Sequence, residues 1–247
     1  MDKHAADIWV AGVDGCRDGW IAAFIHPAGH DGELAVFEHF SDVLAARQAP
    51  AVLAVDIPIG LPEQAGHGGR LAENAVRPLL GLRQSSVFSV PSRAAVYAVD
   101  YRAACQAALA TSDPPRKVSK QLFNIAPKIR EVDAALRGDP QLIARVFEVH
   151  PELAFWRFNG KRALEEPKKV KNRPYEPGLS LRRNLLMDAG LPAVLVASRP
   201  PKGAAEDDRI DALACAAIAR RIWSGLAQPF PNPPPRDRYG LPMAIWA

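Results

Sequence analysis

Two aspartates close two apolar segments of the sequence. Asp14 lies at the end of DIWVAGVDG (7–15), and Asp56 lies near the end of AVLAVDIPIG (51–60). An ionised carboxylate within an apolar segment costs free energy unless it is paired with a cation or bound to a metal. Either aspartate alone is explained as a turn residue, because Asp14 precedes a glycine and Asp56 lies close to Pro58. Together they predict a cation site.

A third acidic group opens the segment EDDRIDALACAAIARRI (206–222), which has the apolar spacing of a helix. Asp208 and Asp211 are three residues apart and therefore share one face of that helix. Acids in a first turn complement the helix dipole, which accounts for Glu206 and Asp207 without any further function. Asp211 lies one turn further in, among apolar residues, and this explanation fits it poorly. We therefore expect Asp211, together with Asp208, to face the cation.

Carboxylates gathered from two strand ends and one helix start are typical ligands of hard divalent cations, here Mg²⁺ or Mn²⁺. The predicted metal ligands are Asp14, Asp56, Asp208 and Asp211, and which of the last two touches the ion stays open. Mg²⁺ keeps waters that a substrate phosphate can replace. Two such ions, about 3.5–4 Å apart, activate a water and stabilise the leaving oxygen when a phosphodiester is cleaved. We therefore expect a metal-dependent nuclease or phosphodiesterase.

A further segment, FEVHPELAFW (147–156), carries three more residues that can do chemistry, Glu148, His150 and Glu152. If the segment is a strand, Glu148 and His150 face the same side. Histidine titrates near neutral pH, so we expect His150 to act as a base or proton shuttle. Glu148 or Glu152 is expected to join the catalytic residues, and their spacing does not separate the two. The alternative is an edge strand whose polar residues face solvent.

Two other classes of function stay open. The VDG turn (13–15) is of the kind that faces phosphate in ATP-dependent phosphotransferases of the actin-like and sugar-kinase type. The sequence has no second glycine-rich phosphate loop, no P-loop, no GxGxxG and no Ser-His-Asp arrangement, so nothing supports a covalent nucleophile. The other alternative is a non-catalytic nucleic-acid-binding or regulatory protein that keeps the same fold.

Basic residues are concentrated in the segment PKKVKNRPYEPGLSLRRN (167–184), which contains one acid, Glu176. The formal net charge of the chain is +4 and its pI is about 9.1, which permits contact with a polyanion without requiring it. A nucleic acid is therefore one candidate partner, and a solvated surface loop is the alternative. The residues expected to contact phosphates are Lys168, Lys169, Lys171, Arg173, Arg182 and Arg183.

The composition, with 48% hydrophobic and 23% charged residues, is that of a soluble globular protein. Cys16, Cys105 and Cys215 lie far apart and form neither a disulfide framework nor zinc-knuckle spacing. The first residues lack an apolar stretch of signal-peptide length, and no segment has the length and apolarity of a membrane span. We expect a cytoplasmic protein that does not contact a membrane. The sequence leaves open whether it forms a homo-oligomer.

The apolar patterns predict a mixed α/β sheet flanked by helices, within a single domain over residues 1–247. Three closely spaced strands are expected to pair as a meander, and a fourth to join them in parallel after a crossover helix beginning at Ser41. A mainly helical insertion is expected over about 61–140, and an irregular proline-rich tail over about 227–247. The predicted strands are 7–15, 20–26, 33–40, 51–60, 145–151 and 191–198. The other predicted helices are 92–110, 127–138, 179–190 and 206–222.

Six blocks of the sequence resemble, in the same order, those of a known family. The blocks are GVDGCRDGW, AVDIPIGLP, SVFSVPSRAAVYA, SKQLFNIAPKIREVD, FEVHPELAFW and DDRIDALACAA. The family is that of predicted RNase H-like nucleases, domain-of-unknown-function family 429, and the resemblance runs from about Val10 to Ala219. It implies an RNase H-like fold and metal-dependent nuclease chemistry. The acidic set that it implies is Asp14, Asp56, and Asp208 or Asp211. Glu148 and Glu152 lie in a block characteristic of the family, and the resemblance leaves their role open.

Overall fold

A five-stranded mixed sheet forms the centre of the computed structural model, which describes residues 8–28, 31–171 and 173–247. The strands are β1 Val10–Cys16, β2 Gly19–Ile25, β3 Gly32–Phe37, β4 Val52–Val55 and β5 Val146–Glu148. Their order is β3-β2-β1-β4-β5, in which β2 is antiparallel to β1 and β3, and β4 is parallel to β1 and β5. The predicted mixed α/β sheet is confirmed and is compatible with an RNase H-like fold. Asp7, where the first strand was predicted to begin, lies outside the described residues.

Helices pack on both faces of this sheet and supply much of the predicted insertion. They are α1 Phe40–Leu44, α2 Leu71–Val76, α3 Arg93–Val96, α4 Tyr101–Ala110, α5 Lys120–Gly138, α6 Pro151–Phe158, α7 Glu176–Asp188, α8 Ala193–Val196 and α9 Glu206–Trp223. Two short antiparallel ladders pair β6 Lys169–Val170 with β7 Arg173–Pro174, and β8 Pro229–Phe230 with β9 Ile245–Trp246. In the described part of the chain, no helix has both the length and the apolarity that crossing a membrane requires.

The alternation of side chains along the strands divides the core into two layers. Val13 and Val55, which are partners in the parallel pair of β1 and β4, belong to the layer that contains α5. Successive residues of a strand point to opposite faces. Asp14 and Asp56, the next residues of the two segments, therefore point to the opposite layer, which contains α6, α7 and α9.

The alanine-rich helix α9 lies directly on β1. Its residues 209–219 are all buried. A Cβ atom placed on Gly12 would lie 1.9 Å from the backbone nitrogen of Ala216 and 2.2 Å from the carbonyl oxygen of Ala212. Gly12 and the small side chains of α9 therefore allow the two backbones to approach closely. This approach brings Asp211, on the second turn of α9, to the end of β1.

The helices of the insertion differ in their bounds from the prediction. The predicted helix 92–110 is divided into α3 and α4, because the Asp100 side chain accepts a hydrogen bond from the Ala103 N–H at 2.8 Å and starts a second helix. The predicted helix 127–138 begins seven residues earlier, at Lys120. Its N-cap is Ser119, so the proline taken as its start lies inside α5.

The predicted strand 191–198 is wrong, since this segment contains the short helix α8. Leu195 and Val196 are buried in the layer of α9. Their carbonyl oxygens accept hydrogen bonds from the buried Arg209 guanidinium of α9, which satisfies the free end of α8. A short apolar run does not distinguish a strand from a buried helical turn. Here the group that favours the helix is the Arg209 guanidinium, which comes from a distant segment of the chain.

Candidate metal centre

Asp14, Asp56 and Asp211 come together at the carboxyl ends of two parallel strands, and we call them the acidic trio. Asp14 lies in β1, and Asp56 follows β4, where its N–H donates to the Val13 carbonyl at 2.9 Å. Asp211 reaches the same place from α9. One carboxylate oxygen of each residue lies within 4.8 Å of the others. The carboxyl ends of parallel strands are where α/β proteins commonly bind ligands.

The unsatisfied oxygen of Asp211 indicates that the acidic trio suits a cation. Asp211 is 5% exposed, and its Oδ1 is buried without a hydrogen-bond partner. Its Oδ2 is paired with the Lys168 ammonium. Asp14 Oδ1 accepts a hydrogen bond from the Gly15 N–H at 2.7 Å. Three carboxylates with a free buried oxygen are a suitable donor set for a hard divalent metal ion.

Burial and mutual repulsion disfavour the charged form of the acidic trio. Burial raises the pKa of Asp56 to about 7 and that of Asp211 to about 6. Burial, followed by the neighbouring carboxylates Asp56 and Asp211, raises the pKa of Asp14 well above its ordinary value. The Lys168 ammonium opposes all three shifts. A bound divalent cation would stabilise the ionised carboxylates.

The acidic trio predicts how the stability of the metal-free protein depends on pH. Between about pH 4 and pH 7 the folded state keeps protons on Asp56 and Asp211 that the unfolded state, with aspartate pKa values of about 3.9, has released. The contribution of these residues to the free energy of unfolding therefore falls as the pH rises through this window. Urea unfolding in EDTA measures the free energy of unfolding of Asp56→Asn and of the wild type. The difference in favour of Asp56→Asn should increase as the pH rises. A pH-independent difference would contradict this expectation.

The other acids at the start of α9 lie outside the acidic trio. Asp208 Oδ2 accepts a hydrogen bond from the Ala205 N–H at 2.8 Å, so it satisfies a free donor at the helix start. Asp207 forms an ion pair with Lys169 at 2.6 Å. The structure thus brings Asp211, and not Asp208, to the carboxylates of β1 and β4.

Glu148 lines the same cleft as Asp14 and Asp56, but its side chain is held by an arginine. It is the register partner of Val55 in the parallel pair of β4 and β5, and so shares the face of Val55. Its two oxygens accept hydrogen bonds from the Arg70 guanidinium at 2.6 and 3.0 Å, and one also accepts from the Ile59 N–H at 2.7 Å. Arg70 also pairs with Glu73 of α2 at 2.6 Å. Glu148 therefore joins the sheet to the insertion.

We expect Arg70→Met to destabilise the protein by about 3–5 kcal/mol, because it leaves two buried carboxylates without their cation. The Arg70 side chain is 1% exposed, and those of Glu73 and Glu148 are 2% and 5% exposed. Arg17→Met is the matched control, since the Arg17 guanidinium lies in solvent beside an exposed aspartate. Urea unfolding measures both variants. Equal stability losses for the two would rule out this account of Arg70.

The segment around His150 is not a continuous strand, so the predicted strand 145–151 ends early, although Glu148 and His150 still line one cleft. β5 ends at Glu148, His150 is the N-cap residue of α6, and Glu152 lies in the first turn of that helix. Glu152 accepts hydrogen bonds from the buried Arg182 guanidinium at 2.7 and 2.9 Å. Pro151 accounts for the change, because proline is favoured in a first helical turn and ends a strand.

His150 lines a cleft beside the acidic trio and has one ring nitrogen without a hydrogen-bond partner. The cleft has a volume of about 200 Å³, and its walls include Asp14, Asp56, His150 and Lys128. The His150 Nε2 lies 3.3 Å from the Ser86 carbonyl oxygen, whereas its Nδ1 is buried without a partner. Burial lowers the pKa of His150 below its ordinary value. The imidazole is therefore neutral near pH 7.

Two lysines that the sequence analysis did not assign to the metal centre lie at its border. Lys128 of α5 lines the cleft, donates to the Gly19 carbonyl and lies 4.5 Å from the ring centroid of Trp20. Lys168 is paired with Asp211. The only feature of the sequence that pointed to Lys128 is its position within one of the six family-like blocks. Lys168 was predicted to contact phosphate, and nothing in the sequence indicated its carboxylate partner.

The basic segment 167–184 does not present all its charges to solvent. Arg182 is fully buried against Glu152, and Arg183 pairs with Glu176 and Glu206. Arg182 is therefore not accessible to a nucleic acid, contrary to the prediction. The exposed cations at the tip of this segment are Lys171 and Arg173.

The sequence as a whole places the protein in a family. The sequence model of the family described as "protein of unknown function (DUF429)" matches residues 12–236. This range covers most of the chain and includes the acidic trio, so the protein belongs to this family. No curated protein and no solved structure matches the chain. The family description states no activity, and a fold alone does not define one, so the function has to be argued from the site.

Proposed function

We propose that this protein is a divalent-metal-dependent nuclease, or a related phosphodiesterase, that hydrolyses nucleic acid. The observation that carries the proposal is the acidic trio, with its free buried Asp211 oxygen, at the edge of a cleft that also contains a histidine and a lysine. Paired carboxylates next to cationic groups are suited to a substrate whose reacting group is an anion.

Asp14, Asp56 and Asp211 are the proposed ligands of Mg²⁺ or Mn²⁺. When bound, such an ion polarises a phosphoryl oxygen and makes water more acidic. The carboxylates would hold the ion at the end of β1, beside the cleft that would receive the phosphate. Because α9 and two strands of the sheet hold these side chains, the ligand positions are rigid.

His150 is the proposed general base of this site. When its Nε2 carries the proton and faces the Ser86 carbonyl, its Nδ1 presents a lone pair. A neutral imidazole can accept the proton of an attacking water. Lys128, on the same cleft, is placed to contact a substrate phosphate as a point charge.

A hydrolysis assay with the full chain tests the proposal. Labelled single-stranded, duplex, hybrid and branched DNA and RNA substrates are incubated with Mg²⁺, Mn²⁺ or EDTA. We expect at least one substrate to be cleaved with a divalent ion and none in EDTA. If none of the substrates is cleaved although Mn²⁺ is shown to be bound, the proposed nuclease activity is rejected. Tight binding of a substrate without cleavage would instead favour the regulatory alternative.

A further inference from the structure

The Lys168 ammonium lies at the acidic trio because a hairpin holds it there. Lys168 immediately precedes β6, and its carbonyl accepts a hydrogen bond from the Tyr175 N–H at 2.8 Å, across the β6–β7 ladder. The adjacent Lys169 ties the same hairpin to Asp207 of α9 at 2.6 Å. The Lys168 side chain is 22% exposed and is paired with Asp211 Oδ2. The fold thus places one cation, the Lys168 ammonium, next to the carboxylates in the absence of a metal ion.

The charges of the site balance with one divalent ion. Three ionised carboxylates carry −3 and Lys168 carries +1, which leaves −2, since the nearby Glu152 is neutralised by Arg182. One divalent cation neutralises this charge. Two divalent cations would leave an excess of +2 before a substrate binds, and like charges at such short distances repel strongly in a partly buried site.

We infer that Lys168 occupies the second cation position of this site, so that the protein binds one divalent ion where a two-ion scheme would need two. Asp211 serves both cations, since its Oδ2 pairs with Lys168 and its free Oδ1 faces no other partner. In the reaction, the Lys168 ammonium contacts a phosphate oxygen and stabilises its developing charge. This part of the inference rests on the proposed function.

Calorimetric titration of Mn²⁺ into the full-length protein tests the inference without an activity assay. We expect one ion per wild-type chain. Lys168→Met should bind Mn²⁺ about tenfold more tightly, because a repelling charge is removed. Lys168→Arg should stay close to the wild type. Lys161→Met is the matched control, since Lys161 is exposed beyond the end of α6, outside the acidic trio and the hairpin, and the affinity of this variant should be unchanged. Circular dichroism checks that each variant is folded.

Several results would overturn the inference. They are two ions per wild-type chain, a Lys168→Met affinity no higher than that of Lys161→Met, and no Mn²⁺ binding by any protein. Cleavage is then measured with saturating Mn²⁺, where Lys168→Met should be about 100-fold slower than Lys161→Met. Equal cleavage rates would overturn the phosphate contact. If no protein cleaves but the expected affinities are found, the proposed nuclease fails while the cation position of Lys168 stands.

Discussion

Asp56→Asn is expected to abolish divalent-dependent cleavage while leaving the metal-free protein at least as stable as the wild type. Loss of a residue that only orients a metal ligand costs about 10–100-fold, so we expect loss of a ligand itself to slow cleavage by about a thousand-fold or more. Stability should not suffer, because burial raises the pKa of Asp56 and the neutral amide removes a disfavoured charge. Opposite signs for activity and stability distinguish a functional carboxylate from a structural one.

The measurements are cleavage rate with Mn²⁺ and thermal unfolding in EDTA. Asp188→Asn is the control, because Asp188 is exposed at the end of α7 and lies outside the acidic trio. It should retain cleavage. An Asp56→Asn protein that unfolds well below the wild type in EDTA would show that Asp56 mainly stabilises the fold. One that is stable and cleaves normally would remove Asp56 from the site.

Gly12→Ala is expected to have the largest effect on the fold, with a loss of about 3 kcal/mol or more in the free energy of unfolding. The added Cβ would overlap backbone atoms of α9 at 1.9 and 2.2 Å, and backbone cannot rotate away as a side chain can. Because α9 carries Asp211, displacement of the helix should also weaken Mn²⁺ binding. Urea unfolding and calorimetry measure the two effects.

Gly138→Ala is the matched control for this substitution. Gly138 is the last residue of α5, and a Cβ there would meet no atom within 4 Å. Replacing a glycine by alanine at such a site reduces the entropy of the unfolded chain, so we expect a gain of about 0.4–1 kcal/mol. If Gly12→Ala is tolerated as well as Gly138→Ala, the close approach of α9 to β1 is not what positions Asp211.

The sheet and two members of the acidic trio were predictable because their signals are local. Each strand of the meander has its own apolar pattern, and Asp14 and Asp56 each interrupt such a pattern near its end. Parallel pairing then brings the two ends together without further information. The choice between Asp208 and Asp211 was not settled by spacing, because both share one helix face. It depends on how deeply α9 sits on β1, which Gly12 allows.

The surroundings of the site were less predictable because distant segments determine them. Glu148 was expected to join the catalytic residues, and it lines the same cleft as Asp14 and Asp56, but both of its oxygens are paired with Arg70 of the insertion. Glu152 lies close enough to Asp56 and Asp211 to raise their pKa values, but it is paired with an arginine from another helix. The sequence around Lys168 is typical of a basic surface segment. Only the packing of its hairpin against α9 places the Lys168 ammonium at Asp211. Ion pairs between remote residues leave no pattern in a single sequence.

The most direct test of the metal centre is a crystal of the full chain soaked in Mn²⁺, with anomalous diffraction data. We expect one strong anomalous peak per chain, about 2.2 Å from one oxygen each of Asp14, Asp56 and Asp211. We also expect the Lys168 ammonium in density beside that ion. The absence of a peak at the acidic trio, with Mn²⁺ present in the crystal, would show that these residues do not form a metal centre.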